Sequence, residues 1–162
     1  MTNKKRVVVF SLIILSICLF DQITKKFIIE YFDTNNSIIF LTSFLNFDLI
    51  WNDGIAFGLL GFDNPSSYNL VTFIIGLVIL IVFYFIIISE NHMSYFYSMV
   101  AGGALGNFID RIRFSAVPDF IDFHIGDYHW FVFNIADIFI SLGVFCLIIA
   151  EIFYKKTDDE KI

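Results

Sequence analysis

Four stretches of the chain are almost purely apolar, and polar stretches separate them. Val7–Phe20 comes first, behind Lys4, Lys5 and Arg6. Asp21-Gln22-Ile23-Thr24-Lys25 interrupts this run, and Phe27-Ile28-Ile29 resumes it. A bilayer core of about 30 Å needs about 20 apolar residues of helix, so residues 7–29 predict one span with polar residues near its far end. Residues 68–89 form the cleanest run and carry no charge inside. Residues 95–109 are short for a span and contain Gly102 and Gly106, four apart, a spacing that lets two helix backbones approach closely. Residues 130–154 form the last run, with Asn134, Asp137 and Ser141 in its first half.

The intervening stretches read differently. Leu45, Phe47, Leu49 and Trp51 alternate with Asn46, Asp48, Ile50 and Asn52, which is a strand period, and Asn52-Asp53-Gly54 then reads as a turn. Asp63-Asn64-Pro65-Ser66-Ser67 closes this region as a loop. Residues 110–129 are polar and predict a loop between two helix ends. The expected fold class is an all-α polytopic membrane protein. It has four transmembrane helices and a small extracytoplasmic β element, in one membrane-embedded domain over residues 1–162. Segments 30–67 and 110–129 fall on the outer face.

Composition narrows the class. Of 162 residues, 58% are apolar and 16% charged, with 22 Phe, 7 Tyr and 2 Trp. Mean hydropathy is +0.79. These values exclude disorder and argue against a soluble enzyme. A net charge of −6 excludes a basic nucleic-acid binder. No small-x-small cleavage site follows the first run, so it reads as a span rather than a signal peptide. Leu15-Ser16-Ile17-Cys18 faintly resembles a lipobox, but Ile17 is too large for the position before the cysteine. Six of the ten Lys and Arg (Lys4, Lys5, Arg6, Lys155, Lys156 and Lys161) lie near the termini. The positive-inside rule therefore favours cytoplasmic termini. Cys18 and Cys146 lie inside apolar runs and imply no disulfide framework.

A carboxylate inside a membrane helix is costly and marks a functional candidate. Asp137 sits about two turns into the last run, with Asn134 three residues earlier on the same face. Asn107 and Arg111 share a face at the end of the third run. The loop between these helix ends brings Asp119 back toward Asp137. Two carboxylates held close in a low dielectric divide into an acid and a base, which suits hydrolysis. Spacing alone leaves other readings open. Asp119, after Pro118, also suits a turn, and Asp137 also suits helix packing. Asp119, Asp122, His124, Asp127 and His129 are dense enough in O and N donors for a divalent ion, although a solvated loop is the simpler reading. Arg111 and Arg113 suit snorkelling to headgroups, contact with lipid phosphate, or orientation of the carboxylates. A small transporter or channel component, with Asp137 in an ion or proton path, is the alternative function, and a structural membrane partner is a third.

Five stretches together resemble lipoprotein signal peptidase, also called signal peptidase II. They are residues 21–25 (DQITK), 52–58 (NDGIAFG), 106–111 (GNFIDR), 117–120 (VPDF) and 133–137 (FNIAD). The resemblance implies an aspartyl endopeptidase of the bacterial cytoplasmic (inner) membrane. Such an enzyme removes the signal peptide from diacylglyceryl-modified prolipoproteins, cutting before the lipidated cysteine. It implies Asp119 and Asp137 as the catalytic pair, with Asp21, Asn52, Asn107, Arg111 and Asn134 as substrate-binding or supporting residues. It further implies no metal or other cofactor, a multi-pass chain with the site at the outer face, membrane lipid as a partner and inhibition by globomycin-type cyclic peptides. The cytoplasmic termini rest on the charge distribution, and a single domain of this size suits action as a monomer. Ile55 departs from the family, many of whose members carry a small residue there.

Overall fold

The computed structural model describes residues 3–35, 37–54, 65–89 and 91–159. In chain order the elements are α1 (Asn3–Asn35), β1 (Ile39–Phe40), β2 (Leu45–Asn52), α2 (Pro65–Ile88), α3 (Asn91–Phe114), β3 (Val117–Ile125), β4 (Tyr128–Phe133) and α4 (Ile135–Asp159). The strands form one antiparallel sheet in the order β1-β2-β3-β4.

Among the described residues, three helices are long and apolar enough to cross a membrane: Lys4–Asn35, Tyr68–Ile88 and Ile135–Phe153. Their outward faces carry exposed Leu12, Leu19, Phe73, Leu80, Phe145 and Ile152, which only a lipid environment would cover without cost. The third helix, α3, is more polar because its neighbours are protein: it packs against α1, α2 and α4. Phe10, Ile14, Ile86 and Ala101 form a core among α1, α2 and α3. At the same end, the Arg6 guanidinium donates to the carbonyls of Ile86 (2.8 Å) and Ser89 and to Ser94 Oγ. It thereby closes the carbonyl end of α2, whose last acceptors have no helical partner.

The sheet packs where α1 and α3 finish and α4 begins. Ile28 of α1 meets Phe120 and Ile121 of β3, with Phe47, Phe133 and Ile138 around them. The register of β2 against β3 shifts between Phe47 and Ile50, a bulge that precedes Asn52. The α3 helix stops at Ser115, which takes the left-handed conformation (φ 53°) common after a helix end.

Several boundaries differ from those expected. Residues 110–114 are the last turn of α3 and not loop, because Asp110 and Arg111 turn inward, where Asp110 is only 1% exposed. Asp119 lies on strand β3 and not in a loop. Residues 130–133 belong to β4 and not to the last span. An unbroken apolar run does not separate a buried strand from a helix, and only Asn134 marks the change. The first helix continues past residue 29 to Asn35. Of the loop expected at 63–67, Asp63 and Asn64 lie outside the described residues, and Pro65 opens α2.

Candidate active site

The α4 helix opens on a reciprocal cap. Asn134 Oδ1 accepts the Asp137 N–H at 3.1 Å, and Asp137 Oδ2 accepts the Asn134 N–H at 3.2 Å. This is the capping-box arrangement with Asp in place of Glu. Asp137 therefore sits in the first turn of α4 and not two turns in, where the helix dipole favours a negative charge. With its oxygen engaged by an N–H, the Asn134 amide presents its NH2 to Asp119, donating to Oδ1 at 2.5 Å.

The second oxygen of Asp119 is met from β2. Antiparallel pairing sets Asn52 opposite Val117 and Ile50 opposite Asp119. Asn52 Nδ2 donates to Asp119 Oδ2 at 2.8 Å, while Asn52 Oδ1 accepts the Gly54 N–H at 2.9 Å. That N–H can only donate, so it fixes the amide with its NH2 toward the carboxylate. Arg111 NH2 donates to the Gly54 carbonyl at 3.3 Å, and NH1 to the Asn107 carbonyl at 3.3 Å. Arg111 is 7% exposed and braces the 52–54 turn, so its guanidinium does not reach out to headgroups.

A third asparagine completes the pattern from α3. Asn107 Nδ2 donates to Asp137 Oδ1 at 2.9 Å. Asn107 Oδ1 accepts from Lys25 Nζ at 2.7 Å. Lys25 is 1% exposed and also donates to Asp21 Oδ2 (2.8 Å) and Asp110 Oδ2 (2.7 Å). Asp21 Oδ1 in turn accepts the Ala136 N–H at 2.9 Å, tying α1 to the first turn of α4. Gln22 Nε2 donates to Asp110 Oδ1 at 2.9 Å. Two glycines permit these approaches. A Cβ on Gly103 would lie 2.4 Å from the Ala136 carbonyl oxygen, and one on Gly106 would lie 2.5 Å from Asp21 Oδ2.

All seven residues singled out in the sequence (Asp21, Asn52, Asn107, Arg111, Asp119, Asn134 and Asp137) therefore meet in one hydrogen-bonded assembly drawn from five elements. Sequence reasoning missed Lys25, Asp110 and Gln22. Their signal was present: Asp21 and Lys25 stand one turn apart in an otherwise apolar helix, a spacing at which side chains meet. Ile55 lies outside the described residues.

Burial and the neighbouring Asp137 carboxylate push Asp119 from 3.8 up to about 6, against the pull of Asn52, Asn134 and Lys25 toward the charged form. Desolvation is the largest cause, in keeping with 3% exposure. Asp119 is thereby shifted toward neutral pH, away from the ordinary carboxylate range.

The five residues considered for a metal do not converge. Asp119 faces the asparagines, while Asp122 pairs with His129 Nδ1 at 2.8 Å, and His124 stacks on His129 with centroids 5.1 Å apart. Among the described residues no group of three or more His, Cys, Asp or Glu is placed to hold an ion.

A family model described as signal peptidase (SPase) II matches residues 13–153. The chain belongs to the signal peptidase II family. A lipoprotein signal peptidase of Pelagibacter ubique is 48% identical over 161 residues, covering 98% of this chain and 97% of that protein. One from Francisella tularensis subsp. novicida is 42% identical over 140 residues, covering 84% of this chain and 86% of the relative. Among solved structures, a bacterial membrane enzyme determined by the in meso method at 2.3 Å resolution superposes with a TM-score of 0.74 at 31% identity, covering 94% of this chain and 92% of its own. Signal peptidase II membership decides the class of activity: this chain is a peptidase and not a transport component. Every residue of the hydrogen-bonded assembly lies within the stretch matched to signal peptidase II.

Proposed function

We propose that this chain is a membrane aspartyl endopeptidase that removes the signal peptide from diacylglyceryl-modified prolipoproteins, cutting before the lipidated cysteine. The observation that carries this reading is the wiring of the two aspartates. Each accepts an amide NH2 whose orientation is set by a group that can only donate, and Asn134 bonds to both carboxylates. Two carboxylates so held share one proton between them.

Asp137, with a backbone N–H and a helix N-terminus directed at it, is the ionised member. It takes a proton from water as the water attacks the scissile carbonyl. Asp119, titrating near 6, is the acid that stabilises the forming oxyanion and passes its proton to the leaving amine. No covalent acyl-enzyme forms, and no metal or other cofactor is needed. The chain crosses the membrane four times in a single domain, with α3 as the central span shielded by its neighbours. Both termini are cytoplasmic, and the sheet and aspartates lie at the outer face. The substrate's lipid chains fix its depth there, so membrane binding supplies much of the positioning. The enzyme acts as a monomer and takes globomycin-type inhibitors.

The test is a mobility-shift assay with a diacylglyceryl-modified prolipoprotein, with and without globomycin and EDTA. Wild-type protein is expected to cleave, with inhibition by globomycin and none by EDTA. Asp119→Asn and Asp137→Asn should each lose at least about 100-fold in rate while remaining folded. Cleavage at the normal rate by either variant overturns the aspartyl assignment. Loss of cleavage with EDTA would overturn the metal-free reading.

A further inference from the structure

We propose that Lys25 is a positioning residue for the aspartate pair: it sets which end of the Asn107 amide faces Asp137. The inference rests on the aspartyl-protease reading above and adds a member to its machinery. An ammonium has three protons and accepts nothing. Lys25 directs its three at Asp21 Oδ2, Asp110 Oδ2 and Asn107 Oδ1, at 2.7–2.8 Å. The oxygen of Asn107 must therefore face Lys25, and its NH2 must face Asp137 Oδ1. A flipped amide would set NH2 against ammonium and oxygen against carboxylate, two repulsions in place of two bonds. Asp21 and Asp110 hold the lysine in place, and Gln22 holds Asp110. The chain of contacts runs from α1 through α3 to α4, and its terminus is a donor on the ionised member of the pair.

The charge of Lys25 also pulls Asp119 toward its ionised form directly, so the test must hold the local net charge constant to isolate the part carried by the Asn107 amide. The experiment is kcat/KM against pH with the lipidated prolipoprotein. It compares wild type, Asn107→Ala, Asp110→Asn, and Lys25→Met combined with Asp110→Asn. The last variant removes the ammonium yet keeps the cluster at one net negative charge, which guards against unfolding. Thermal unfolding in detergent checks that each variant is folded.

Asn107→Ala and the Lys25→Met combination are expected to move the acid limb of the profile upward by about one pH unit, with kcat down roughly tenfold and KM unchanged. Asp110→Asn alone should leave that limb in place. Placing the Lys25→Met combination in the Asn107→Ala background should add nothing, because both act through one amide. An unmoved limb in the Lys25→Met combination, or losses that multiply when the two changes are joined, overturns the proposal. If the combination does not fold, Asn107→Ala decides, since it keeps both lysine ion pairs and removes the amide that accepts from Lys25 and donates to Asp137; an unmoved limb there overturns the proposal as well. Full activity of Asp137→Asn in the same assay would locate the failure in the aspartyl reading instead.

Discussion

At the scale of single residues, three asparagines do similar work. Each has its oxygen occupied by a donor, which leaves its NH2 for a carboxylate. The consequence is testable at Asn52. Its bond lowers the pKa of Asp119, which burial raises to about 6. Asn52→Ala removes that bond, so Asp119 should hold its proton to higher pH. The alkaline limb of kcat/KM, expected near pH 6 in wild type, should shift upward, as a pH series on the purified variant would show. Stability follows the same sign. A carboxyl whose folded pKa is raised favours the folded state most below about pH 4, on the order of 3 kcal/mol here, and that contribution is lost as pH rises through about 6.

Asn107, Asn134 and Asp137 were legible in the sequence as types and spacings, because Asp and Asn inside apolar runs are costly and attract notice; Asn52 read as the start of a turn, and its link to the site came from the resemblance. Lys25 appeared only within the stretch 21–25, with no role of its own, because nothing in that window shows which acceptors its ammonium meets. Its burial is decided by Asp110, 85 residues away. Asp122 and His129 were grouped with Asp119 by proximity in sequence, whereas β3 separates them into different contacts.

At the scale of elements, α3 governs the site through its glycines. Gly103 lets α3 pass against the first turn of α4, one turn before Asn107. Gly103→Ala should force the two helices apart. The expected loss is about 1–3 kcal/mol, typical of overpacking, with a steeper loss of cleavage because Asn107 is carried away from Asp137. Gly76 of α2 is a useful contrast: a Cβ there meets only the Phe108 ring at 3.3 Å, which can yield slightly. Gly76→Ala should be near neutral, since alanine is also the better helix former. Thermal melts of the two variants in detergent check the difference.

Element boundaries were the least legible part. The strand period announced β2, but β3 and β4 were hidden. In β3 the polar residues Asp119 and Asp122 are buried, so no alternation of polar and apolar positions survives. In β4 the apolar run continues straight into α4. A cap residue, Asn134, is the only local sign of the join.

At the scale of the whole molecule, the polar network lies at one end of an apolar bundle, and Arg6, near the start of α1, lies at the other. A green fluorescent protein fused after the C-terminus should fluoresce, and alkaline phosphatase inserted at the Gly126–Asp127 turn of the β3–β4 hairpin should be active. The opposite pattern would place the aspartates in the cytoplasm. By itself the sequence determined the membrane class, the apolar runs and one strand, and its spacing drew attention to Asn107, Arg111, Asp119, Asn134 and Asp137. Those follow from local hydropathy and from the cost of polar groups in hydrocarbon, both properties of short windows, whereas Asp21 and Asn52 entered through the resemblance to signal peptidase II. Only the tertiary structure decided that Asp119 lies on a strand, that Asp137 caps a helix, and that Lys25 reaches Asn107. Each of those rests on hydrogen bonds between distant segments, and a buried donor takes whichever acceptor the packing brings to it.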